Sequence, residues 1–168
     1  MTTVVVDIKN KIAYSDSRVT NTNLRTGEVS YERTKDKIVR NVNKKSLCVF
    51  TGNVALIRSK VKTSGFKKAF KDSCGTYESG ESCHIIVLQK DSKLATVVTG
   101  RVIMDKVTWE YKTLSSDYIY TGSGSRTKEA KKISRYINSG VNIPYEKIIE
   151  AASYSDNHTD DNIREVCL

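Results

Sequence analysis

The sequence predicts an α+β fold in which sheets pack against segregated helical layers. Strand-like runs come in groups, and two helical patterns follow each other near the C-terminal end, with no strict strand–helix alternation. The length of 168 residues suits one domain with one sizeable core. No Pro/Gly linker, repeat or low-complexity tract divides the chain, so residues 1–168 are read as one unit.

The first strand is expected at 3–8, where Thr3-Val4-Val5-Val6 is β-branched. It forms a hairpin with an alternating strand at 11–16, around Lys9-Asn10-Lys11. Residues 19–33 carry Asn-Thr-Asn and Thr-Gly turn signals and read as a loop, or as a short hairpin between Leu24 and Tyr31. Strands follow at 36–42 and 46–51. Gly52 breaks the second, and Asn53 is placed to cap a helix reaching about Phe70, with Val54, Ile57 and Val61 on one face and Gly65 as an interruption.

Residues 72–82 are polar and Gly/Ser-rich, as loops are. Strands are expected at 83–90 and 93–99 around Asp91-Ser92, with one or two more over 101–112. Tyr118 to Thr121 is a short strand ending at Gly122-Ser123-Gly124. A helix runs from about Thr127 to Asn138, with Ala130, Ile133 and Ile137 inward and Gly140 as its stop. Pro144 starts another, with Tyr145, Ile148, Ile149 and Ala152 on one face. Residues 162–167 read as a final strand.

Composition narrows the function. No run of about 18 apolar residues is present, so no transmembrane helix or membrane partner is expected. No basic segment followed by an apolar stretch opens the chain, and the cytoplasm is the expected compartment. The four cysteines make no CxxC pair or zinc spacing, so free thiols and no metal or cofactor are expected. The net charge is +9, and Arg33 to Lys71 holds twelve Lys or Arg against one acid, Asp36. A basic face can attract nucleic acid, but no aromatics interleave with the charges from Arg33 to Lys45, which favours a solvated face.

The chemistry-bearing stretch is Met1-Thr2-Thr3. Removal of Met1 leaves Thr2 with a hydroxyl and a free α-amine on one residue, a nucleophile with its own base. An α-amine titrates at roughly 7.7–8.0, so part of it is neutral near pH 7.

With Asp16-Ser17-Arg18, Lys37-Ile38-Val39, Phe50-Thr51-Gly52, Gly122-Ser123-Gly124 and Asp156-Asn157-His158-Thr159, this start resembles proteasome β subunits and the HslV-type bacterial peptidase. These are N-terminal-nucleophile hydrolases, and the likeness spans nearly the whole chain. The resemblance implies a four-layer αββα sandwich of two antiparallel sheets flanked by helices. It implies a threonine-type peptidase in a homo-oligomeric ring, with polypeptide substrates and an ATP-dependent unfoldase as a possible partner.

By the same resemblance, Thr2 is the nucleophile, with Asp16 and Lys37 as the ion pair beside it. Gly52 supplies an oxyanion N–H, and Ser123, Asp156 and Thr159 orient the amine and a water. Val19, Lys35, Phe50 and Val54 match the substrate pocket, where Lys35 favours an acidic or long side chain or points away. The loop between Asp16 and Lys37 is longer than the family's. Asn53 and Asp160-Asp161 replace family glycines, and the segment from Asn53 to Ser82 is too short for the family's two long helices. These departures motivate an alternative, a catalytically silent subunit or decoy. A small-molecule amidase and a basic nucleic-acid-binding protein are the other readings.

Overall fold

The computed structural model describes residues 3–22, 25–33, 37–41, 43–61 and 76–168. Among them the chain builds three antiparallel sheets. Strands β1 (Thr3–Asp7), β2 (Ile12–Asp16), β10 (Tyr118–Gly122) and β11 (Ile163–Cys167) form a four-stranded sheet in the order β10-β1-β2-β11. Strands β5 (Ile38–Asn41), β6 (Ser46–Gly52), β7 (Ser82–Gln89), β8 (Ala95–Ile103) and β9 (Lys106–Leu114) form a five-stranded sheet in sequence order. Strands β3 (Arg18–Thr22) and β4 (Val29–Arg33) pair only with each other. The helices are α1 (Val54–Lys60), α2 (Lys128–Asn138) and α3 (Lys147–Ser153), with a 3₁₀ turn at Gly124–Arg126.

β1 explains how the layers meet. It is central in its sheet and all five of its residues are buried. Side chains alternate along a strand. Val4 and Val6 therefore face Leu47, Val49, Ile86 and Leu88 of the five-stranded sheet. Val5 faces the other way, onto Ala130 of α2 and Ile148, Ile149 and Ala152 of α3. Each fully buried valine contributes about 1.5–3 kcal/mol. A third cluster lies under α1, where Leu56 and Ile57 cover Phe50, Ile85 and Val98.

The four-layer αββα sandwich is not what these residues form. The protein is mostly antiparallel β, with three sheets and three helices among the described residues. α2 and α3 cover the four-stranded sheet, but α1, with seven residues, is the only described helix on the five-stranded one. Its C-cap, Val61, is already extended at φ −94°, ψ 112°. The expected continuation toward Phe70, with Gly65, lies mostly outside the described residues. β9 has no partner beyond β8 among the described residues, and four residues in a row, Glu110 to Thr113, are exposed, as on a solvated edge.

Smaller differences have local causes. The 19–33 stretch forms a hairpin, but its strands are Arg18–Thr22 and Val29–Arg33 and not a short pair between Leu24, which lies outside the described residues, and Tyr31. Residues 101–112 are divided between two strands because Met104 and Asp105 turn the chain at φ 46° and 60°. Pro144 precedes a turn, and α3 begins only at Lys147. α2 begins where Thr127 caps Ala130 N at 3.1 Å.

Candidate functional site

Two polar networks converge on Thr3, the first residue of β1. Both of its polar groups are engaged. Its backbone N–H donates to Asp16 Oδ1 at 2.8 Å. Its Oγ1 accepts from Gly124 N at 3.0 Å and lies 2.7 Å from Thr159 Oγ1. Thr159 donates its single hydroxyl proton to Asp156 Oδ2 at 2.6 Å. In the Thr3–Thr159 pair, Thr3 must then be the donor. The Thr3 hydroxyl is buried and committed in both directions, which suits an anchor and not a nucleophile.

The first network is an ion pair in a dry setting. Lys37 Nζ lies 3.1 Å from Asp16 Oδ2, with side-chain exposures of 5% and 0%. Lys37 Nζ also donates to the Arg18 carbonyl, and Arg18 N donates to Asp16 Oδ2 at 3.1 Å. Asp16 ends β2, and Lys37 leads into β5, where Phe50 N bonds its carbonyl at 2.8 Å. Burial pushes the Lys37 ammonium below the usual lysine range, against the opposing pull of Asp16.

The second network is a carboxylate caged by hydroxyls. Asp156 Oδ2 accepts from Ser123 Oγ at 2.6 Å as well as from Thr159, and Oδ1 accepts from His158 N at 3.1 Å. Burial alone would raise its pKa, but these hydrogen bonds hold it below the usual aspartate value. The loop carrying it is clamped to the β2–β3 corner. Asp160 accepts from Ser17 N at 2.9 Å and Ser17 Oγ at 2.8 Å, and His158 Nδ1 meets Thr20 Oγ1 at 2.9 Å.

Two glycines are required by close approach. A Cβ on Gly124 would sit 2.3 Å from Thr3 Oγ1 and 2.7 Å from Ala152 Cβ. Gly52 has φ 98°, and a Cβ there would meet Ser82 O at 2.3 Å. Gly52 and Ser123 line a cleft of about 210 Å³, together with Thr51, His84, Ser125 and Arg126. The cleft lies beside the start of β1, because Thr3 pairs with Gly122, the neighbour of Ser123.

The structure thus brings Asp16, Lys37, Ser123, Asp156 and Thr159 together around Thr3, and it places Gly52 on the cleft with Ser123. Thr2 and Lys35 lie outside the described residues. Val19 is half-buried in β3 opposite Glu32. Phe50 is buried in the cluster under α1, and Val54 packs against that cluster.

Thr3, Gly124 and Asp160 stand in stretches the sequence singled out without a site role of their own, while His84 and Arg126 are new to the site. The Asp160-Asp161 departure was a signal for Asp160, which clamps Ser17. Asn53 likewise has its own task. Its Oδ1 caps Leu56 N at 2.9 Å, and its Nδ2 donates to Glu81 Oε2 at 3.0 Å.

Among the described residues no group of three or more His, Cys, Asp or Glu is placed to hold a metal. No described helix is long and apolar enough to cross a membrane. Burial pushes the Cys83 thiol up to about 11, so it is protonated and a poor nucleophile at neutral pH. No protein-family model matches the chain, and no curated protein matches it.

Proposed function

We propose that this chain is a threonine-type peptidase of the proteasome β and HslV kind, with Thr2 as nucleophile once Met1 is removed. The supporting observation is the double anchoring of Thr3 by the Asp16–Lys37 pair and the Ser123–Asp156–Thr159 cage. Thr2 is joined directly to the nitrogen that donates to Asp16. In this reading Thr2, one residue before the anchored Thr3, offers its hydroxyl and amine to both networks, and the cleft beside the start of β1 receives the substrate.

In this reading Thr2 Oγ attacks the scissile carbonyl while the neutral α-amine takes its proton. The buried Lys37 ammonium lowers the cost of the developing alkoxide, and Asp16 fixes that cation. The Asp156 cage orients the amine through Ser123. The carbonyl oxygen becomes an oxyanion toward the Gly52 N–H. The C–N bond then breaks, the amine returns its proton to the leaving nitrogen, and an ester on Thr2 is left for water to hydrolyse. The homo-oligomeric ring, the unfoldase partner and a cytoplasmic setting belong to the same proposal.

Intact mass before and after an epoxyketone, which needs both the hydroxyl and the amine of one residue, tests the reading. The expected result is loss of Met1 and one adduct mapping to Thr2. A protein that keeps Met1 and takes no adduct contradicts it and favours the silent subunit.

A further inference from the structure

The cleft beside Gly52 and Ser123 has a charge pattern that this chemistry leaves unused. Among the described residues no carboxylate lines it. The side chain of Arg126, exposed at the end of the 3₁₀ turn, makes no ion pair or hydrogen bond among the described residues. The other ionisable group on the wall is His84. Burial and nearby Arg101 push its pKa down, so it is neutral at pH 7. Arg126 is then the one cation of the cleft among the described residues.

The site's own acid does not answer it. Both oxygens of Asp156 already accept hydrogen bonds, from Ser123 and Thr159 on one and His158 N on the other. The wall adds the hydroxyls of Ser82 and Thr121. An arginine on a wall that also carries hydroxyl residues, with no carboxylate among the described lining residues, suits a carboxylate, whose two oxygens a guanidinium can meet in one plane.

We propose that this cleft is a subsite for a carboxylate of the substrate peptide, held by Arg126. The preference for an anion stands on the cleft alone, while the identity of the ligand as a peptide rests on the peptidase reading. Two sources supply a carboxylate, an acidic side chain and a free C-terminus, and three short acetylated peptides separate them. One carries Glu and an amidated end, one carries Gln and a free end, and one carries Gln and an amidated end.

Calorimetric titration uses the full chain with Thr2→Ala, so that nothing is consumed. One of the two acidic peptides is expected to bind about tenfold tighter than the doubly neutral one, as one charge-assisted contact gives. The advantage should shrink with salt and vanish in Arg126→Gln. Equal binding of all three peptides, or a preference that survives Arg126→Gln, overturns the subsite. Epoxyketone labelling of the wild-type chain reads the catalytic reading separately. An anion preference with no labelling sinks the peptidase and spares the subsite, and labelling with no preference does the reverse.

Discussion

The two networks that meet at Thr3 hold comparable roles by different physics. On one side Asp16 and Lys37 are a buried ion pair, almost without access to water. On the other, Asp156 is a half-exposed anion whose charge is met by hydroxyls and one backbone N–H, with no cation bonded to it among the described residues. A dry pair is unforgiving, because losing either partner strands a charge in a low-dielectric setting. A caged anion is tunable, because each donor can be removed singly and water can enter. The first side suits holding a fixed cation, and the second suits adjusting a proton.

The largest effect should follow Lys37→Ala. Peptide turnover should be abolished, and because the pair is buried, a stability loss of about 3–5 kcal/mol is expected from the stranded Asp16. Chemical denaturation checks this. The double change Asp16→Asn, Lys37→Met should recover much of the stability but no peptide turnover, whereas recovered turnover would show that the pair acts only as scaffold.

Next in size is Gly124→Ala, whose methyl has nowhere to go between Thr3 Oγ1 and Ala152. Overpacking of this kind costs about 1–3 kcal/mol. The same change at Gly140, where a Cβ meets nothing within 4 Å but φ is 89°, separates steric crowding from backbone strain. Gly124 has no positive φ, so its loss is steric, and a Gly124→Ala protein as stable as wild type would refute the crowding.

The comparison sharpens in acid. The folded pKa of Asp156 lies below its unfolded value, so between the two the unfolded chain binds more protons and stability rises with pH. Its contribution is full above an ordinary aspartate pKa, about 3.9, and is lost as pH falls through the lower folded value. Wild type and Asp156→Asn should therefore converge in stability below that range. A gap that stays constant with pH would refute the caged-anion account. The smallest effect should come from Ser123→Ala, which removes one of three donors to Asp156. It should cost about 1 kcal/mol and raise the Asp156 pKa, which NMR titration reads.

Much of this was readable in advance where local chemistry and tertiary role agree. The valine run of β1, the spacing of Ala130 and Ile133 in α2, and the cap at Asn53 each state their own conformation. Asp16, Lys37, Ser123, Asp156 and Thr159 came from short motifs whose order along the chain was informative. The overall architecture was not readable in the same way. The resemblance implied two full helical layers, but α1 stops at Lys60 and β9 keeps one face to solvent. Met104-Asp105 carries no Gly to announce its turn. His84 and Arg126 belong to no motif, because the cleft exists only once β7 and the 3₁₀ turn are brought together. Gly124 reads as an ordinary turn glycine until Thr3, Ala152 and Thr159 are placed around it.

The central claim is that Thr2 does the chemistry while Thr3 only anchors it. The most direct measurement is turnover of a fluorogenic peptide by Thr2→Ala and Thr3→Ala, each corrected for its folded fraction. Thr2→Ala should be inactive with near-normal stability. Thr3→Ala should lose stability, because Gly124 N and Thr159 lose their partner, yet its folded fraction should still turn over substrate. An active Thr2→Ala, or a well-folded but dead Thr3→Ala, would contradict the account.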